Sequence, residues 1–253
     1  MDDHFDLILL SCKAYDLDDA IRAFAPAVGP NTIILPLLNG MRHLERLDHE
    51  FGAPAVLGGL GLISSTLDAE GRILHLNDTH GLTYGARDAG QSAKARAVEA
   101  EFAGANFIPK LSDTILQEMW EKWVFIATVA GITCLMRATI GDIVAAGGGD
   151  LTTRLLDECA AIARDQNFAP RAPALQQARA MFTTPGSLLT ASMLRDVEGN
   201  GHTEAEHLLG DLMRRGGAQE NPSSILRTAY LHVAAYEARR ARLAQTRQSN
   251  GGS

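Results

Sequence analysis

LQEMWEKWVFIATVAGITCLMR, residues 116–137, is the longest apolar run in the chain, and from Trp123 to Met136 its only ionisable group is Cys134. Those fourteen residues fall short of the roughly 20 that a bilayer requires. Thr128, Gly131 and Thr133 dilute them further, so the run reads as a buried core helix. Ala127, Ala130 and Gly131 leave room for a second backbone to come close. Lys122 stands at the entrance, between Trp120 and Trp123. Two readings of it stay open. Its stem snorkels along apolar surface to water, or its ammonium is held against an apolar wall, its pKa falls towards neutrality, and it serves as a proton donor.

Upstream of this helix the pattern is α/β. DLILLSC (6–12) is a short, continuous apolar run of the kind expected of a parallel strand buried on both faces. Asp16 opens a helical pattern with Leu17, Ala20, Ile21 and Phe24 on one face, and a second apolar run, 32–38, ends in Asn39-Gly40. This is a βαβ unit, with a right-handed crossover. It sets Lys13 and Asn39-Gly40 just past the carboxyl ends of neighbouring parallel strands, the edge where open α/β sheets bind ligands. An ordinary solvated lysine and a plain Asn-Gly turn would fit the same pattern. A helix is expected near 44–51, then three strands over 55–66, 72–76 and 81–85, punctuated by Asp68-Ala-Glu-Gly71 and Asn77-Asp78. Gly58-Gly59-Leu60-Gly61 lies inside a strand pattern with no helix opening after it, so it is no dinucleotide loop. A helix over 92–102 and a strand over 107–111 close this half.

Downstream everything reads as helix. Thr139-Ile-Gly-Asp142 is a helix-capping start, 151–166 is amphipathic, and helices are expected over 174–182, 187–197 and 223–243. Thr203-Glu-Ala-Glu206 reads as a capping box for a helix running to about Arg215. Glu204 in its first turn suits either simple dipole complementation or acceptance of a hydrogen bond from a hydroxyl. The organisation expected is therefore an α/β domain over 1–112, a helical domain over 113–245 and a disordered polar tail over 246–253.

Composition narrows the classes. A net charge of −7, from 23 basic and 30 acidic residues, argues against nucleic acid or an anionic membrane as partner. Cys12, Cys134 and Cys159 are too far apart for a disulfide framework or a zinc pattern, which together with an acidic, signal-free start points to the cytoplasm.

Four stretches, SCKAYDLDDA (11–20), LPLLNGM (35–41), WEKWVFIA (120–127) and SMLRDVEGNGHTEAEH (192–207), together resemble the ketopantoate reductase (2-dehydropantoate 2-reductase) family, in family order and at family-like spacing. The resemblance implies a Rossmann-type NADP-binding domain followed by a helical domain like that of 6-phosphogluconate dehydrogenase. It also implies NADPH as cofactor, a small 2-oxo acid as substrate, reduction of ketopantoate to pantoate for coenzyme A synthesis, and a possible homodimer. Position by position, Lys122 matches the general acid that protonates the carbonyl oxygen, and Glu204 the acidic residue that binds substrate hydroxyls. Ser192 matches a serine that holds the substrate carboxylate. Asn39 matches an asparagine between nicotinamide and substrate, and Lys13 a lysine near the cofactor.

Two departures stand out. Where better-known members carry asparagines one and two turns beyond the lysine, this chain has Ile126 and Ala130, which opens the alternative of a different 2-oxo acid. The family's opening Gly-x-Gly-x-x-Gly strand also has no counterpart. Roughly 70 residues, two to three βα units, are expected to be missing from a partial Rossmann domain, with weak NADPH binding as the consequence. A non-catalytic binding or dimerisation module is the remaining alternative.

Overall fold

The protein is described by a computed structural model covering residues 4–68 and 70–250. It divides into two compact units, Met1–Met119 and Trp120–Ser253.

In the first unit, β1 (Phe5–Leu10) leads through α1 (Leu17–Phe24) to β2 (Val28–Pro36), and the two strands pair in parallel. The βαβ reading is thereby met. The Leu37 amide donates to the Leu10 carbonyl (2.8 Å), so the chain leaves β2 level with the end of β1. After α2 (Arg42–Phe51), a parallel bridge between Ile34 and Val56 joins β2 to the segment entering β3 (Gly58–Leu67). β3 pairs antiparallel with β4 (Ile73–Gly85), and β4 pairs in parallel with β5 (Ile108–Leu111), which follows α3 (Ser92–Glu101). Alternation along the strands sends Ile33 and Leu35 to one face. There they form a core with Leu57, Leu82, Tyr84 and the Ala95, Val98 and Phe102 side chains of the α3 region.

One sequence expectation is corrected here. The strands read at 72–76 and 81–85 are a single strand, β4. Asn77-Asp78 does not end it but marks a wide irregularity: between the pairs Ile63↔His80 and Ser65↔His75, β3 advances two residues and β4 five. The turn-forming pair is absorbed as a bulge because the strand partner on β3 continues past it.

In the second unit, α4 (Ile115–Met136) is the central helix. Its length and composition would allow it to cross a membrane, yet 67% of its apolar window is buried within the protein, as a core helix requires. The division between units falls within its first turns rather than before it. Ile115 and Met119 lie against Gly58 of β3, so closely that a Cβ on that glycine would meet the Ile115 side chain at 2.8 Å.

α5 (Ile140–Ala145) begins with the expected capping box, Thr139 Oγ1 accepting from the Asp142 amide while Asp142 accepts from Thr139. α6 (Gly149–Asp165), α7 (Ala172–Phe182), α8 (Ser192–Glu198), α9 (Asp211–Arg215) and α10 (Ile225–Asn250) complete the unit. The small residues of α4 serve close approach as read: a Cβ on Gly131 would meet Leu155 of α6 at 3.1 Å and Ala229 of α10 at 3.4 Å. The buried hydroxyls of Thr128 and Thr133 donate back to the Val124 and Val129 carbonyls, so the apolar core leaves neither unsatisfied.

α8 starts at Ser192 rather than 187, because the Ser187 and Leu189 carbonyls accept amides from the start of α5 instead of helical partners. A disordered tail from residue 246 was expected; α10 instead continues to Asn250, with 251–253 outside the described residues. From Ser223 to Asn250 the sequence holds neither glycine nor proline, so nothing interrupts the helix.

Candidate active site

Lys122 lies in α4 one residue before the fully buried Trp123. Burial of its ammonium pushes the pKa down to about 8, against the opposing pull of the Glu204 carboxylate, which raises it. The side chain is half-buried, so part of it still reaches solvent while the ammonium feels the apolar surroundings and the Glu204 charge. Glu204 is itself buried, at 9% exposure. These two residues, far apart in the chain, thus feel each other's charge within one unit.

The backbone around Glu204 is unusual. Glu206–Gly210 forms a π-helical turn ahead of α9, a geometry that recurs at functional sites and displaces carbonyls from the regular ladder. Trp123 holds this turn from α4, its indole N–H donating to the Leu208 carbonyl at 2.9 Å. The Arg215 guanidinium stacks over the same indole, 5.6 Å from its centroid.

On the other side, the loop 198–203 is gripped by α10. The Tyr236 hydroxyl donates to the Gly201 carbonyl (2.7 Å), Arg240 Nε to the Asn200 carbonyl (3.0 Å), and Glu237 Oε1 accepts the Thr203 amide (2.7 Å). Asn200 takes a positive φ of 55°, which asparagine tolerates better than most residues.

The capping box expected over Thr203–Glu206 does not form. Glu206 accepts from the Tyr230 hydroxyl and pairs with Arg214, each at 2.7 Å, while the Thr203 amide goes to Glu237. A glutamate on α10 with both oxygens in reach displaces the local partner, and the π turn carries Glu206 away from the helix start. Glu204 therefore lies ahead of the first full turn, its carbonyl accepting the Leu208 amide at 2.9 Å.

Ser192 is exposed at the first turn of α8. The residue before it, Ala191, donates its amide to Thr133 of α4 (3.5 Å), eleven residues and ~16 Å along the helix from Lys122. The structure thus brings Lys122 and Glu204 together and sets Ser192 further along the same helix. Ile126, half-buried, and Ala130, fully buried, follow Lys122 one and two turns on, so apolar side chains line the stretch between.

Lys13 and Asn39 belong to the first unit and are both half-buried. Lys13 precedes a short 3-10 turn after β1, and Asn39 follows β2. Gly40 has a φ of 77° and is buried, a conformation that admits glycine readily and turns the chain into α2. An ammonium and a carboxamide at the carboxyl edge of two parallel strands form a donor set suited to the phosphate and amide groups of a dinucleotide. The buried thiols of Cys134 and Cys159, each pushed up to about 12 by burial, are inert at neutral pH.

Sequence reasoning did not find Trp123, Glu237, Tyr236 or Arg240. Trp123 reads as core, and the other three read as the ordinary surface of an amphipathic helix. No local signal separates them from their neighbours.

Comparison with known proteins adds the following. Residues 1–89 match the family described as ketopantoate reductase PanE/ApbA, and residues 114–237 its C-terminal part. The chain is 34% identical over 236 residues to the uncharacterized oxidoreductase YkpB of Bacillus subtilis, an alignment covering 92% of this chain and 78% of that protein. Among solved structures, a PanE/ApbA family ketopantoate reductase from Ralstonia eutropha superimposes with a TM-score of 0.81 at 21% identity, over 94% of this chain and 78% of that one. D-mandelate dehydrogenase, determined with NADH and anilino(oxo)acetate, superimposes with a TM-score of 0.83 at 18% identity, over 95% of this chain and 79% of that one.

Proposed function

Since this chain belongs to the PanE/ApbA ketopantoate reductase family of oxidoreductases, we propose that it reduces a 2-oxo acid to the 2-hydroxy acid, with ketopantoate as the first candidate and NADPH as the reductant. The observation that carries the reading is the half-buried Lys122 in electrostatic reach of the buried Glu204, with the lysine pKa brought down to about 8. An ammonium so destabilised gives up its proton readily, which is what a carbonyl oxygen needs as negative charge develops on it. The nicotinamide, when bound, supplies the hydride to the carbonyl carbon.

The chain's own residues do the rest. Lys122 transfers its Nζ proton to the carbonyl oxygen and is recharged from solvent. Glu204, as a carboxylate, accepts a hydrogen bond from a substrate hydroxyl and steadies the ammonium before transfer. Ser192 contributes a hydroxyl to the substrate carboxylate. In the first unit, Asn39 and Lys13 hold the dinucleotide at the sheet edge.

A second reading concerns the substrate alone. Ile126 and Ala130 present apolar groups on α4 beyond Lys122, which favours an oxo acid with a less polar side chain than ketopantoate. D-mandelate dehydrogenase, whose fold this chain shares, was solved with an oxo acid bearing an aromatic group.

The test is oxidation of NADPH and NADH by the protein, against ketopantoate and aliphatic and aromatic 2-oxo acids, with Lys122→Ala alongside. We expect turnover on at least one of them. We expect Lys122→Ala to lower it by about 100- to 10,000-fold while dinucleotide affinity changes little. Turnover within about threefold of wild type, under 1 kcal/mol of barrier, would remove the assignment of Lys122.

A further inference from the structure

We infer that Glu237 of α10 is a positioning residue that sets Glu204 opposite Lys122, an inference that rests on the roles proposed for that pair. Three observations converge on it. Glu237 Oε1 accepts the amide of Thr203, the residue immediately before Glu204, at 2.7 Å, and its Oε2 lies 3.0 Å from His202 Nδ1. The Thr203 hydroxyl is buried and makes no hydrogen bond to any described residue other than Glu237, so the hold on this segment rests with that carboxylate. The downstream side of Glu204 is held separately, by the Trp123 indole on the Leu208 carbonyl.

Glu204 is thus suspended between two anchors, a carboxylate one residue upstream and an indole four residues downstream. A peptide N–H bonded to a carboxylate is held more strongly than one bonded to a neutral acceptor. Removing the acceptor leaves that amide without its partner and frees the backbone to rotate where Glu204 is attached. Among the described residues, the Arg240 guanidinium, 3.8 Å away on the same helix, and the His202 imidazole from the loop face Glu237. Burial works to raise the pKa of Glu237, but the hydrogen bonds from Thr203 and His202 outweigh it and hold the carboxyl below its ordinary value. Glu237 therefore stays ionised across neutral and alkaline pH and does not itself titrate in the range where Lys122 does.

The readout follows from the charge of Glu204, which raises the pKa of Lys122. If Glu204 swings away, the pKa of Lys122 must fall further. The chain contains four lysines, Lys13, Lys94, Lys110 and Lys122, so carbon-13 labelled lysine resolves Lys122 by NMR without any need for activity.

We expect Glu237→Ala to lower the Lys122 titration midpoint in the same direction as Glu204→Gln. The KM for the oxo acid should rise about tenfold, with a smaller fall in kcat. Glu237→Gln, which keeps an oxygen for the Thr203 amide, should restore most of both. Should Glu237→Ala fail to fold, Glu237→Leu, which keeps the bulk and lacks the acceptor, carries the same comparison. A Lys122 titration unchanged from wild type in the folded Ala or Leu variant overturns the inference. If the wild-type protein reduces no 2-oxo acid, the proposed function falls, and the titration still decides what Glu237 does.

Discussion

At the scale of the residue, Lys122 shows how burial alters chemistry. Its pKa near 8 means that it is mostly protonated at neutral pH, yet its proton costs far less to remove than that of a solvated lysine. Reduction requires the protonated form, so kcat/KM for the oxo acid should be level at low pH and fall as pH rises through about 8. In the direction of alcohol oxidation the neutral amine is required, and the dependence should reverse. A pH-rate profile of reduction with no alkaline limb below pH 10 would contradict the role of Lys122 as acid. That this lysine mattered was legible from its place between two tryptophans at the mouth of an apolar run. What surrounds its ammonium was not, because that depends on Glu204, which comes from a distant stretch of chain.

At the scale of the element, most helices and strands follow from local pattern, and the exceptions have identifiable causes. The capping box at Thr139 forms as read; the one at Thr203, with the same pattern, does not. The difference is competition: Glu237 reaches the Thr203 amide, and Tyr230 and Arg214 draw Glu206 elsewhere. The π turn at Glu206–Gly210 likewise has no signature in EHLLG itself. It depends on Trp123, whose indole N–H meets the Leu208 carbonyl. Trp123→Phe keeps a ring in place and deletes that donor, cutting the buried hydrogen bond that ties the turn to α4. It should therefore lower stability by about 1–3 kcal/mol in urea denaturation and weaken oxo-acid binding through the altered turn. A variant as stable as wild type would show that the indole serves only as packing.

At the scale of the whole molecule, the first unit leaves considerable apolar surface uncovered. Leu62, Ile63, Ile73, Leu74 and Leu76 on β3 and β4 are each at least 44% exposed, as are Ile108 on β5 and Phe5 and Leu9 on β1. Exposed apolar strands favour association. The 253-residue chain should therefore self-associate at micromolar concentration, and Ile63→Lys with Ile73→Lys should reduce this; sedimentation as a concentration-independent monomer would refute it. The amino-acid sequence by itself determined the βαβ start, the change from α/β to all-helical organisation, the core helix and its lysine, and membership of a family through four motifs in order. These are properties of covalent spacing: period two, period 3.6, and residue types at fixed offsets. Only the tertiary structure decided the acidity of Lys122, the failure of the Thr203 cap, and the grip of Trp123 and Glu237 on the segment bearing Glu204. Those contacts join residues 85 and 34 positions apart. Their strength comes from burial and from competition among partners that only the folded chain brings within reach.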